Sequence, residues 1–286
     1  MSILPISLSS QGGYVNYKLL TLDLDGTALS ADLSVHPEVA RAIAAAQAQG
    51  VRVTLATGRM FQSTLPYAHE LNIRDPLICY QGALVRDPIS GEVYQHVATP
   101  SAPAAEAVGM LLEQDLFTIA YIDERLCVAE RRPELDLYLT WHPEGVEVVV
   151  EPDLAALVAE QAPTKLLFVA DPPVVEREMA RLAAHFAGRL SAVRSHAIFG
   201  ELTALGISKG AALEALAARL GISREQVVAI GDHENDLPMI EWAGLGLAMG
   251  NAIPLVQAAA DAIVPPVDEA GVAFAIDRYI LKSYEF

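Results

Sequence analysis

Leu19, Leu20, Leu22 and Leu24 make the stretch from Lys18 to Leu24 almost continuously apolar, as a strand buried on both faces of a parallel sheet would be. The stretch climbs to two acids, Asp23 and Asp25, and breaks at Gly26. His36-Pro37-Glu38 then starts a helix, with Pro37 in its first turn. Val39, Ile43 and Ala46 recur at helical spacing up to a Gly50 cap. Val51 to Ala56 is a second strand and ends in Thr57-Gly58-Arg59. A helix from about Met60 to Leu71 and a strand from Leu77 to Tyr80 follow, closed by Gln81-Gly82-Ala83. Strand, helix, strand, helix, strand predicts an α/β fold with a doubly wound parallel-sheet, Rossmann-like core.

The rhythm changes from about Arg86 to Arg194. Phe117 to Ile122 and Leu126 to Ala129 flank a charged turn, Asp123-Glu124-Arg125. Val146 to Val150 and Lys165 to Ala170 are further strand-like runs. Asp171-Pro172 opens an amphipathic helix through Met179 and Phe186, ended by Gly188. This section reads as an α+β domain inserted into the first. After Glu201 the alternation returns. Ser208 caps a helix to Leu220, Ser223 to Gln226 fits a capping box, and Val227 to Ile230 is a strand ending in Gly231-Asp232. A helix then runs through Met239 to Trp242, Leu245 to Met249 is a strand, Asn251 caps another helix, and Ala262 to Val264 is the last strand. Asp268 to Leu281 is the expected closing helix. The predicted units are a core of residues 1–85 and 195–286 and an insert of residues 86–194.

A chain of 286 residues, 52% hydrophobic, has enough apolar material for a large core. Its formal net charge of −17 repels nucleic acid and acidic membranes, which sets those partners aside. An anionic substrate would then need a metal or a local basic group. Two cysteines, Cys79 and Cys127, form no disulfide framework, and Cys79 reads as a small buried hydrophobe. No apolar stretch reaches membrane-spanning length. Met1 to Asn16 lacks a basic n-region and reads as a loose N-terminal extension, so the cytoplasm is the expected location.

Ligands of open α/β sheets bind beyond the carboxyl ends of the strands. Four polar clusters fall at such places: Asp23 with Asp25, Thr57, Lys209, and Asp232-His233-Glu234-Asn235-Asp236. Asp23, Asp25 and Asp232 offer oxygens to a hard cation, and Mg²⁺ suits few carboxylates together with water and a substrate phosphate. Thr57 and Lys209 offer donors to an anion, Lys209 from a helix N-terminus.

In order along the chain, Asp23-Leu24-Asp25-Gly26-Thr27, Thr57-Gly58-Arg59, Ser208-Lys209-Gly210 and Gly231-Asp232-His233-Glu234-Asn235-Asp236-Leu237-Pro238-Met239 resemble the four motifs of the haloacid dehalogenase-like superfamily. More narrowly the chain resembles the Cof-type phosphatases, whose closing segments Ala248-Met249-Gly250-Asn251-Ala252 and Glu269-Ala270-Gly271-Val272-Ala273 also resemble. Only about 30 residues separate Asp25 from Thr57, whereas roughly 150 separate Arg59 from Lys209. The insert is thus a large cap placed after the third strand, as in the Cof-like branch.

The resemblance implies a phosphatase acting through an aspartyl phosphate. Asp23 is the implied nucleophile, and Asp25 the group that protonates the leaving oxygen and then accepts a proton from water. Mg²⁺ is implied on Asp23, the Asp25 carbonyl and Asp232. Thr57, Gly58, Lys209 and Asn235 are the implied phosphate ligands. Asn235 and Asp236 support the metal shell and Lys209. The expected substrate is a small phosphorylated metabolite, a sugar phosphate first and a nucleotide or cofactor phosphate next. A sugar phosphomutase and a non-catalytic binding protein are the alternatives.

Gln81-Gly82-Ala83 departs from the Asn-Gly-Ala usual in Cof-like proteins, in a loop that faces the substrate there, so Gln81 is expected to alter the fit of the leaving group. Arg59 is either structural or a phosphate ligand. His233 reads as a solvent-facing loop residue, and Glu234 as loop support. Tyr138, Trp141 and His142 either pack the insert or line a substrate pocket.

Overall fold

A computed structural model describes residues 16–142 and 146–281; of the extension expected at Met1 to Asn16, all but Asn16 lies outside them. The chain begins with β1 (Leu19–Leu22), α1 (Pro37–Ala48), β2 (Arg52–Leu55), α2 (Phe61–Glu70) and β3 (Leu77–Cys79). The His36 side chain caps α1 by accepting from the Glu38 N–H. β4 (Leu84–Arg86) and β5 (Val93–His96) follow. Then come α3 (Ser101–Leu112), β6 (Phe117–Ile122), β7 (Arg125–Val128), α4 (Pro133–Leu139), β8 (Val148–Val150), α5 (Leu154–Glu160), β9 (Lys165–Val169), α6 (Pro172–His185), β10 (Leu190–His196) and β11 (Phe199–Ala204). The return to the core is α7 (Lys209–Arg219), β12 (Val227–Gly231), α8 (Leu237–Trp242), β13 (Leu245–Ala248), α9 (Pro254–Ala259), β14 (Ala262–Ile263) and α10 (Gly271–Ala275).

Among the described residues the core sheet has the order β14-β13-β12-β1-β2, all parallel. β3 joins its edge through a parallel bridge between Ala56 and Ile78. β1 is central, and Leu19, Leu20 and Leu22 have no exposed surface. Burying each stabilises the core by roughly 1.5–3 kcal/mol. The sheet reverses its winding between β1 and β12, which places Asp23 and Asp232 side by side at their carboxyl ends.

The insert's sheet has the order β10-β11-β9-β6-β7-β8, antiparallel except for β7 with β8. Its strands sort their side chains with period two. Ala120, Ile122, Leu166, Phe168 and Leu202 pack under α3, α5 and α6. Ile119, Tyr121, Leu167 and Phe199 face the other way and join the core's apolar cluster. One side of the cap is thereby a closed layer and the other looks onto the core.

Several expected boundaries differ. β4 pairs back onto β3 and β5 onto β4, so the insert's own sheet begins later than residue 86. β10 and β11 form one hairpin across residue 194, and β11 pairs with β9, so that sheet ends at Ala204. Asn251 caps no helix: its amide donates to the Gly26 carbonyl and its oxygen accepts from the Val267 N–H, while Ile253 precedes α9. The closing segment is not one helix. Ala270 adopts a left-handed conformation (φ 54°) between a short turn and α10, and Ile276–Ile280 widens to i→i+5 pairing. No helix of the described residues is long and apolar enough to cross a membrane.

Candidate active site

The Asp23 N–H donates to the Ile230 carbonyl at 2.9 Å, carrying the β1–β12 ladder one step past β1. The chain then turns at Gly26 with φ +81°, where a Cβ would lie 2.5 Å from an Asp232 oxygen. A side chain there is excluded by backbone conformation and by space together. Thr27 Oγ1 donates to Asp232 Oδ1 at 3.1 Å, tying the first motif to the last.

Ser208 caps α7 by accepting from the Ala211 N–H and so sets Lys209 at the first helical position. The Lys209 ammonium is buried between Asp23 Oδ1, at 2.5 Å, and Asp236 Oδ1, at 2.6 Å. Asp236 Oδ2 accepts the N–H groups of Asp232 and His233, both at 2.9 Å. Asp236 thus folds the loop after β12 and holds Lys209 in place. His233 is half-buried in that loop rather than facing solvent. Glu234 is exposed and reaches Arg194 of the insert at 3.9 Å.

Asp23, Asp232 and Asp236 place carboxylate oxygens within 4.8 Å of one another, with one ammonium among them. Burial first, and the Asp236 charge second, push the Asp23 carboxyl well above the usual carboxylate range. The same two causes push Asp232 up to about 7, and its carboxyl lies within hydrogen-bonding reach of Asp23. Burial opposes the Lys209 charge, but Asp23 and Asp236 outweigh it and hold its pKa above the ordinary lysine value. Because Asp236 is fully occupied, Asp23 and Asp232 are the pair left facing each other. Asn235 adds a buried amide oxygen that finds no hydrogen-bond partner among the described residues. Hard oxygen donors with excess negative charge fit a small divalent cation.

The Asp232 shift has a consequence for stability. The folded state binds this proton more tightly than the unfolded chain does, so the contribution is full below about pH 4 and is lost as pH rises through about 7. In EDTA, the urea midpoint of wild type is expected to fall across that window more steeply than that of Asp232→Asn. A divalent cation should flatten the wild-type curve. Equal slopes in EDTA would contradict the assignment.

Thr57 follows β2. Its N–H donates to the Ile78 carbonyl, its carbonyl accepts from the Gln81 N–H, and its Oγ1 accepts from the Arg59 N–H at 3.1 Å. Arg59 is buried, and its guanidinium grips both oxygens of Asp25, at 2.6 and 2.8 Å, and the Trp141 carbonyl. All three guanidinium nitrogens are therefore engaged by protein acceptors. Asp25 itself stays partly exposed.

Gln81 is not among the residues that line the cavity between core and insert. It is buried, with φ +61°, donates to Glu201 Oε2 at 3.0 Å and accepts from the Asn235 amide at 3.0 Å. Its side chain thereby bridges Glu201 of the cap strand β11 and Asn235 in the loop after β12. Lys165 and Glu201, buried and 2.9 Å apart, were not picked out from sequence. A lone lysine heading the apolar run Leu166-Leu167-Phe168-Val169, and a lone glutamate inside Phe199 to Leu202, were the available signals.

These residues surround a cavity of about 650 Å³ between core and insert, floored by Asp23, Asp25, Thr57 and Asp232. Tyr138, Trp141 and His142 line it and also pack: Tyr138 meets Tyr121 and Phe199 edge-on and His142 at a tilt, and Trp141 meets Phe199 edge-on. The Tyr121 and Tyr138 hydroxyls are hydrogen-bonded. Burial, with the nearby Arg59 charge, pushes His142 down to about 3, so its ring is neutral at physiological pH.

Comparison with known proteins agrees with this architecture. YxeH of Bacillus subtilis (strain 168) is 34% identical over 274 residues, covering 93% of this chain and 100% of that protein. Another B. subtilis relative, YitU, named as a 5-amino-6-(5-phospho-D-ribitylamino)uracil phosphatase, is 28% identical and covers 91% of this chain and 97% of its own length. The crystal structure of a haloacid dehalogenase-like hydrolase from Bacteroides thetaiotaomicron superposes with a TM-score of 0.81 at 30% identity, covering 92% of this chain and 99% of that one. The family of haloacid dehalogenase-like hydrolases matches residues 20–276. With its motif carboxylates and lysine gathered at the ends of β1, β12 and α7, this chain belongs to the haloacid dehalogenase-like hydrolase family.

Proposed function

We propose that the protein is a Mg²⁺-dependent phosphatase that hydrolyses a small phosphorylated metabolite through an aspartyl phosphate. The observation that carries this reading is the buried Asp23–Lys209–Asp236 arrangement beside Asp232, open to a cavity of metabolite size. The division of labour has residues 17–97 and 205–281 as the catalytic core and 98–204 as the cap.

Asp23 attacks phosphorus with the oxygen that Lys209 does not hold, forming the Asp23 O–P bond as the bond to the leaving oxygen breaks. Asp25 gives its proton to that leaving oxygen, and later takes one from the water that splits the aspartyl phosphate. Arg59 holds both Asp25 oxygens, so proton transfer requires one of these contacts to open. Thr57, the Gly58 N–H and Lys209 hold the phosphoryl oxygens, and Asn235 supports the loop of Asp232. Asp23, Asp232 and the Asp25 carbonyl would hold the cation, which supplies charge neutralisation as a carboxylate nears a phosphate dianion.

A cavity of about 650 Å³, lined by Tyr138, Trp141 and Phe199 as well as by the carboxylates, suits a single small metabolite. A sugar phosphate comes first, and a nucleotide or cofactor phosphate comes second. Purified protein with Mg²⁺ should release inorganic phosphate from members of a panel of sugar, nucleotide and cofactor phosphates, and EDTA should abolish release. A rearranged sugar phosphate without free phosphate would make it a mutase. No reaction with any member, including an artificial aryl phosphate, would overturn the reading.

A further inference from the structure

We propose that Lys165, carried into the site by the cap strand β9, is a positioning residue for the phosphate-binding turn Thr57-Gly58-Arg59, with Glu201 and Gln81 holding it there. The proposal rests on the phosphatase reading for the role of that turn.

The Lys165 ammonium donates to the Gly58 carbonyl at 2.6 Å and to Glu201 Oε1 at 2.9 Å, and lies 4.8 Å from the centre of the Tyr121 ring. Glu201 is saturated in turn: Oε1 accepts from Ser195 Oγ at 2.7 Å and Oε2 from the Gln81 amide at 3.0 Å. Gln81 passes the connection to Asn235 of the last motif. Lys165, Tyr121, Ser195 and Glu201 sit on cap strands. Gly58, Gln81 and Asn235 sit in core loops.

What the lysine does follows from the peptide it touches. The Gly58–Arg59 peptide is planar and trans, so its C=O and N–H point in opposite directions. With the oxygen pinned by Lys165, the Arg59 N–H is aimed at Thr57 Oγ1, to which it donates. The Thr57 hydroxyl is then an acceptor toward the backbone. Among the described residues no protein acceptor takes its own proton, and Thr57 lines the cavity. That proton is left for a phosphoryl oxygen. A cation on the carbonyl also polarises the peptide and strengthens its N–H as a donor. A Cβ at Gly58 would come within 2.4 Å of the Gln81 amide nitrogen, so a side chain there would displace Gln81 from its contact with Glu201. A buried ion pair contributes little stability compared with an apolar pair of similar size. Its value here lies in fixing a geometry, and that geometry is complete only with the cap in place. Dependence on Lys165 should therefore extend to substrates too small to touch the cap.

The test is the double variant Lys165→Met/Glu201→Gln, which removes both charges and strands neither. Inorganic phosphate binding is titrated by ³¹P NMR in the presence of Mg²⁺, and kcat/KM is measured for acetyl phosphate and for a sugar phosphate. Phosphate should bind about 10- to 100-fold more weakly, the range seen when partners that orient site ligands are lost, and kcat/KM should fall by the same factor for both substrates. Unchanged phosphate affinity overturns the proposal, as does a loss confined to the sugar phosphate, which would make Lys165 a leaving-group contact. Should the double variant not fold, Ser195→Ala, which removes one partner of Glu201, is expected to weaken phosphate by about threefold, within the range of one hydrogen bond; no change there overturns it equally. Wild type that binds phosphate yet hydrolyses nothing retires the phosphatase reading and leaves the titration to decide on Lys165. Wild type that binds no phosphate overturns both.

Discussion

Asp23→Asn should abolish turnover of p-nitrophenyl phosphate without lowering the thermal midpoint of the metal-free protein. The amide keeps the size and hydrogen-bonding reach of the side chain but is a far poorer nucleophile. Losing a nucleophile that works with its partners as a unit costs on the order of 10⁶-fold in comparable hydrolases, so a fall of at least about 10⁴-fold is expected. Stability should move the other way. The Asp23 carboxyl is buried beside Asp236 and Asp232, and its raised pKa means the charged form is disfavoured in the folded protein. A neutral isostere removes that repulsion, and Lys209 retains Asp236. Scanning fluorimetry in EDTA should show an equal or higher midpoint. Activity within tenfold of wild type would sink the mechanism, and a midpoint many degrees lower would make Asp23 a structural residue.

Lys209→Met should damage both activity and fold. The ammonium has no exposed surface and touches two carboxylates. Taking it away leaves Asp23 and Asp236 buried without a counter-charge, and breaking a buried pair in this manner costs about 3–5 kcal/mol. For a chain of this size that is a midpoint roughly 6–20 °C lower in EDTA. Saturating Mg²⁺ should recover part of the loss by neutralising Asp23 and Asp232, but not the activity, because the phosphoryl oxygens still lack their cation. Combining Lys209→Met with Asp236→Asn should also restore part of the midpoint. A Lys209→Met midpoint equal to wild type in EDTA would show that these acids are protonated and need no ammonium.

The motif residues could be found from sequence because each owes its place to interactions within a few residues. Asp23 and Asp25 are spaced two apart at the end of an apolar strand, Gly26 permits the turn, and Ser208 caps the helix that begins with Lys209. Asn251 shows where such reasoning stops. Its position before a helix suits a cap, yet its side chain is drawn to Gly26 and Val267, brought near by the sheet. The hairpin of β10 and β11 was missed for a related reason. Its outer strand is half-exposed and carries Arg194, Ser195 and His196, so no run of apolar residues announces it; pairing with β11 alone defines it as a strand.

Local pattern and chain order decided the doubly wound core, the place of the insert and the carboxylates at the strand ends, since secondary structure and turn chemistry are set by neighbours in the chain. The folded structure alone decided which buried charges meet. Lys165 pairs with Glu201 36 positions away, Gln81 with Glu201 120 away, and Lys209 with Asp23 186 away. Ion pairs and hydrogen bonds depend on separation in space, and nothing in the spacing of such residues along the chain says which of them the sheets will bring within 3 Å.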